Sequence, residues 1–200
     1  MKKLLFGLAI VAMVLVTGCK NGDSWGDVNK KIKADEIKLT DGNWVYEYSY
    51  SAERTVSDWT GDYYGIEYSS IKGILKEEND GETHFTVSNG KVTVTKDVYS
   101  SSVTFPSDVD MTKVEASVNS YKAKSSTDSE YSISGSTVKY KYNASDKNLR
   151  KDISIEDFMN YYTNFYGDVY SNEDGTKYRY YNKWTDGVES SESERTLVKD

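Results

Sequence analysis

From Trp44 onward the chain is written in short alternating runs of apolar and polar residues, broken by turn signals. In "DGNWVYEYSY", residues 41–50, Trp44, Tyr46, Tyr48 and Tyr50 fall at every second position, with Val45, Glu47 and Ser49 between them. A strand alternates its side chains with a period of two, so four aromatics share one face of a sheet. Similar runs follow at "SSIKGILKEE" (69–78), ended by Asn79-Asp80-Gly81, and at "THFTVS" (83–88) and "KVTVTKD" (91–97), joined by Asn89-Gly90. Asn-Gly is a two-residue hairpin signal because both residues tolerate positive φ. The runs "VYSSSVTF" (98–105), "KVEASVNSYKAK" (113–124), "EYSIS" (130–134), "TVKYKYN" (137–143), "TKYRYYNKW" (176–184) and "ERTLVKD" (194–200) complete the set. Eight to ten strands with short links predict an all-β, antiparallel fold, closed as a barrel or folded as a β-sandwich.

One segment has a different period. In "SIEDFMNYYTNFYG", Ile155, Phe158, Met159, Tyr162, Phe165 and Tyr166 recur at helical spacing. Ser154 with Asp157 three residues later resembles a capping box, and Gly167 can end the helix. The pattern predicts one amphipathic helix near 155–166, laid against the sheet. The first and last strand regions also echo each other: "DGNWVYEYSYSAERT" against "DGTKYRYYNKW" and "SERT". The expectation is that first and last strands are neighbours, pairing their aromatics.

The amino-terminal residues follow another pattern. Lys2 and Lys3 precede an apolar run from Leu4 to Val16, the length of a signal-peptide core and too short for a membrane span. It leads into "VTGC", Val16–Cys19, which resembles the bacterial lipobox. The resemblance implies cleavage before Cys19, lipidation of its sulfur with diacylglycerol, and acylation (palmitate or similar) of the new amino terminus. Acyl chains contribute about 0.8 kcal/mol per buried CH₂, so two or three form a durable anchor. Lys20 stands where Asp is the familiar inner-membrane retention signal, so the resemblance implies an outer-membrane lipoprotein of the bacterial cell envelope. The style of tether and strands resembles spirochaete-type lipoproteins. The chain then divides into a signal peptide (1–18), a lipidated tether (19–40) and a β-domain (41–200). A flexible tether of this length reaches about 25 Å.

Composition narrows the function. Cys19 is the only cysteine, so no internal disulfide, cysteine dyad or cysteine metal site can form. Loss of Lys2 and Lys3 takes the formal charge from −7 to −9, which argues against nucleic acid as a partner. Leu, Ile, Val and Phe are roughly a fifth of the chain, near the level at which folding fails; 18 Tyr and 4 Trp supply the missing apolar area. His84, the only histidine, lies opposite Phe85 and Val87 on its strand, facing solvent. A histidine-based zinc site is excluded by count, and no phosphate-cradling glycine loop occurs. Asn172-Glu173-Asp174-Gly175 lacks the alternating ligands of a calcium loop and reads as a hairpin turn. The expectation is a protein without catalytic residues, metal or cofactor; a carboxylate-only hydrolase and a Ser-His-Asp site around His84 are the enzyme classes left open.

Gly42-Asn43-Trp44 at the head of the first strand resembles the Gly-x-Trp motif of the lipocalins and their bacterial relatives. In that family the Trp closes the barrel floor under an Arg from the last strand. The resemblance implies structural roles for Gly42 and Arg195, with Arg179 the second choice for the Arg. It also implies a calyx for a small apolar or amphipathic ligand. Candidate lining residues are Trp44, Tyr46, Tyr48, Tyr50, Tyr140, Tyr142, Tyr178, Tyr180 and Trp184, since tyrosine offers an apolar ring with an orienting hydroxyl. Two other readings use the same residues. Tyr- and Ser-rich strands suit the contact face of a surface interaction protein or adhesin with a protein partner, and the aromatics can equally form a filled core.

Overall fold

The computed structural model describes residues 25–63, 66–123, 125–163, 165 and 168–200. The signal peptide and Cys19 lie outside the described residues, as do Tyr166 and Gly167 of the expected helix. Ten antiparallel strands form one sheet: β1 (Lys30–Ile32), β2 (Gly42–Tyr63), β3 (Ile66–Ser88), β4 (Lys91–Thr104), β5 (Ser129–Ser134), β6 (Thr137–Asn143), β7 (Ile153–Ser154), β8 (Val169–Ser171), β9 (Lys177–Thr185) and β10 (Glu189–Lys199). Their order is β1-β8-β9-β10-β2-β3-β4-β6-β5, with β7 on β4, and the sheet is not closed. The first long strand and the last are neighbours, as their echo predicts, but aromatics do not pair with aromatics: Trp44 stands opposite Lys199, Tyr46 opposite Leu197 and Tyr48 opposite Arg195.

Three turns follow from local chemistry. Asn89 (φ 51°) and Gly90 (φ 73°) join β3 to β4 in the left-handed conformation of a hairpin turn. Gly135, φ 58°, turns β5 into β6. Between β8 and β9 the Asn172 side chain closes the turn: its Oδ1 accepts from the Thr176 and Lys177 amides at 2.9 and 3.0 Å.

Burial is one-sided. Trp44, Tyr46, Ala52 and Val56 of β2 are buried, and Phe85 opposite Trp44, Leu197 opposite Tyr46 and Leu75 opposite Arg54 share that face. Two cores form on it. The first gathers Leu39, Trp44, Tyr46, Phe85, Val87, Val92, Val94, Tyr178 and Leu197 under Phe158 and Phe165. Its cover is α2 (Ile155–Phe158), capped by Ser154, whose Oγ accepts from the Asp157 amide at 3.0 Å. The helix widens into a π-turn at Met159–Thr163. Phe158 lies 4.1 Å, ring to ring, from Phe85. The predicted helix is therefore present, as an α-turn followed by a π-turn.

The second core holds Val56, Leu75, Val103, Phe105, Tyr131 and Val138 under Val114 and Val118. Those two valines belong to α1 (Met111–Lys122), a helix where the sequence reading expects a strand over 113–124. Val114 and Val118 fit a period of two and a spacing of i, i+4 equally well. Asp110 decides for the helix, its carboxylate accepting from the Thr112 amide at 3.1 Å.

Two further expectations change. Asn79-Asp80-Gly81 does not end a strand; β3 runs straight through it. The expected tether is folded from Trp25 on: β1 pairs with β8, and Val28 and Leu39 are each 7% exposed. Both cores and every described pairing lie within 25–200, so this part carries all the contacts its described fold uses.

Trp44 is fully buried, with its Nε1 donating to the Thr40 carbonyl at 2.8 Å. Trp44→Ala should lower stability by about 3–5 kcal/mol, as for other buried aromatics. Urea unfolding of residues 20–200 measures it, and a loss under about 1 kcal/mol would contradict this packing.

Candidate functional site

Between the two cores the same face of the sheet becomes polar and only half-buried. Register places two rows there. Arg195, Tyr48, Gly81, Tyr99 and Tyr142 stand side by side on β10, β2, β3, β4 and β6. In the next row stand Ser193, Tyr50, Asn79, Ser101 and Tyr140. Tyr48, Tyr50, Tyr99, Tyr140 and Tyr142 are all half-buried. Gly81 leaves this row without a side chain at its centre: a Cβ there would lie in van der Waals contact with the Tyr99 and Tyr48 rings, at 3.6 and 3.9 Å.

The second row carries a hydrogen-bonded network. Asn79, 6% exposed, donates to the Glu77 carboxylate at 2.7 Å and accepts from the Tyr99 hydroxyl at 3.1 Å. Glu77 and Glu189 flank Arg54 at 3.5 and 3.6 Å. Beside Asn79, Ser101 is 4% exposed, and its hydroxyl is the buried side-chain polar atom that has no partner among the described residues. Buried polar groups are nearly always satisfied, so an orphan of this kind marks a place for water or a ligand atom.

At the border with the first core, the Tyr46 hydroxyl donates to the Thr163 carbonyl at 3.2 Å, which ties the π-turn to the sheet. Burial pushes the Tyr46 and Tyr162 hydroxyls well above their usual pKa. Burial also raises the Asp97 carboxyl, against the opposing pull of the Thr83 hydroxyl bound to it at 3.2 Å and of the Arg150 charge.

The predicted calyx residues divide into three groups. Trp44, Tyr46, Tyr178 and Tyr180 are core, at most 9% exposed. Tyr48, Tyr50, Tyr140 and Tyr142 lie in the half-buried band. Trp184, near the end of β9, is 46% exposed and belongs to neither. Arg195 does not cover Trp44. Its guanidinium lies between the Tyr48 and Tyr180 rings, 5.0 and 5.2 Å from their centroids. Lys199 takes the place above Trp44, 5.9 Å from the ring. Gly42 admits it: a Cβ there would meet Lys199 Cε at 2.7 Å, and its φ is +137°. Arg179 pairs instead with Glu194 at 2.6 Å on the opposite face. Asn79, Gly81, Tyr99 and Ser101 were not legible as site residues because the first two look like a turn. The alternation of Tyr99, Ser101 and Val103 was the available signal.

A depression of about 260 Å³ lies on the polar face of the sheet, away from the tyrosine band, and is lined by Ser51, Glu53, Lys76, Glu78, Lys183 and Glu192 among others. Its cations are already paired, Lys76 with Glu53 at 2.8 Å and Lys183 with Glu192 at 3.4 Å. Among the described residues no group of three His, Cys, Asp or Glu is placed to hold a metal ion, and no helix is long and apolar enough to cross a membrane. No protein-family model, curated protein or solved structure matches the chain.

Two substitutions test the band. Ser101→Ala should raise stability by about 1 kcal/mol, because it removes an unsatisfied hydroxyl, whereas Asn79→Ala should cost about 2 kcal/mol by removing the buried hydrogen bonds to Glu77 and Tyr99. A destabilised Ser101→Ala would mean that the hydroxyl is engaged. Asp97 resists ionising in the fold more than in the unfolded chain, so its contribution is lost as pH rises from the unfolded value through the raised folded one. Asp97→Asn should therefore gain stability over wild type as pH rises from about 4 to 7. Parallel denaturation curves at all pH values would refute this.

Proposed function

We propose that the protein is a lipid-anchored lipoprotein of the bacterial envelope, outer membrane by the lipobox context, that binds a small amphipathic ligand and catalyses no reaction. Acyl chains on Cys19 hold it to the membrane, and the ligand lies on the tyrosine band. The observation that carries the reading is the contrast between two closed cores and the half-buried tyrosines between them. Five rings, an orphan hydroxyl and a polar network converge there, the mix of apolar wall and few orienting polar groups that small-molecule sites use.

Tyr48→Phe and Tyr140→Phe keep the ring, so each should leave stability within about 1 kcal/mol while changing the uptake of an environment-sensitive apolar dye by residues 20–200. Absence of dye uptake, with Tyr48→Ala as destabilising as Trp44→Ala, would make the band core. For the anchor, Cys19→Ser should abolish fatty-acid labelling and release the protein from membranes; label that persists on the variant would refute it.

One observation favours the second reading, a surface interaction protein. Past Arg54 and Lys76, where β10 and β4 stop pairing with them, β2 and β3 continue as a two-stranded ribbon with no further described strand beside it. Its sequence carries Trp59, Tyr63 and Tyr68. Isolated ribbons are marginally stable in water, and a protein partner would cover one. Replacement of 58–71 by a short Asn-Gly turn should leave both cores intact and abolish capture of such a partner; unchanged ligand binding in that variant would keep the two readings apart.

A further inference from the structure

We infer that the bound ligand is an amphipathic anion and that Arg195 holds its charged group. The inference rests on the ligand-binding reading above and gives that ligand a chemistry. The described arginines differ in how their charge is met. Arg54 stands between Glu77 and Glu189, and Arg179 pairs with Glu194. Arg150 lies over the Tyr161 ring at 3.7 Å and acts on the Asp97 carboxyl. Arg195 has no carboxylate within ion-pair distance among the described residues, although the chain carries 32 acidic residues against 25 basic ones. Cations withdrawn from water are ordinarily paired. A half-buried, unpaired guanidinium on the inner face of an acidic protein therefore calls for an anion from outside.

The surroundings fit that role. The Tyr48 and Tyr180 rings flank the guanidinium at 5.0 and 5.2 Å, and the nearby Tyr46 hydroxyl is fixed by donating to the Thr163 carbonyl at 3.2 Å. A fork fixed in this way keeps donors free for the oxygens of a carboxylate, phosphate or sulfonate. The apolar part of the ligand would run from Tyr48 over Gly81 to Tyr99, where Gly81 contributes no side chain. The opposite orientation is disfavoured, because the Arg54 end of the band holds two carboxylates for one cation and repels a second negative group.

The test uses residues 20–200 and a neutral, environment-sensitive dye bound to the band. Decanoate, decyl phosphate and decanol are then titrated in to displace it from the wild-type protein, so the first arm needs no variant. Either anion should displace the dye at about tenfold lower concentration than the alcohol, and more weakly as salt is raised. Whichever of the two anions competes better identifies the head group. Arg195→Gln should remove that tenfold preference, read as the ratio of alcohol to anion displacing the dye from the same variant, while Arg195→Lys, which keeps charge but loses the fork, should fall between. If the dye binds and the alcohol competes as well as both anions, the anion inference is overturned and the binding reading stands. If no dye binds, both fall. An Arg195→Gln variant that is folded by its urea midpoint and keeps the preference also overturns the role of Arg195.

Discussion

The pairing of β2 with β3 on one side and β10 on the other is the constraint on which everything else rests. Its register sends Trp44, Tyr46, Tyr48, Tyr50, Ala52 and Val56 to one face, beside Phe85, Leu75, Leu197 and Arg195. A slip of one residue would turn every one of these to the other side and bring Glu47, Ser49 and Glu53 into the cores. Burial at the two ends fixes the register, and the middle inherits it. The half-polar band between the cores is held in position by apolar contacts that it does not itself make.

That division explains how a chain poor in aliphatic residues folds while keeping half-exposed tyrosines. Trp44, Phe85, Phe158 and Leu197 fill one end without leaving exposed surface, and small valines under α1 fill the other. Each core is closed by a helix whose start is set by a single polar side chain, Ser154 or Asp110. Between the helices, hydroxyl and carboxylate partners take over from apolar packing. Asn79 is satisfied on both sides by Glu77 and Tyr99, and buried polar groups of this kind hold position because any displacement leaves them without partners. Ser101 and Arg195 are where that satisfaction stops, one for want of a hydrogen-bond partner and one for want of a counter-charge.

The sequence by itself determined the strand content, the Asn89-Gly90 turn, the helical spacing from Ile155, and the neighbourhood of first and last strands. Each of these is a local signal: a period, a turn dipeptide, a cap, or a repeated word. The resemblance of Val16–Cys19 to a lipobox, too, is carried by adjacent residues. Tertiary structure alone decided the rest. Asp110 is a local cap that favours a helix over 111–122, but the valine pair fits both periods, and the core that receives Val114 and Val118 is assembled from strands distant in the chain. Asn79-Asp80-Gly81 carries the residues of a turn, yet stays extended because β2 and β4 pair with it on both sides and Asn79 bonds Glu77 along its own strand and Tyr99 on β4. Which tyrosines became core and which stayed half-open could not be read from alternation, because alternation assigns a face and not a depth. Depth depends on where the two helices lie along the strands, and that is set by contacts between residues far apart in the chain.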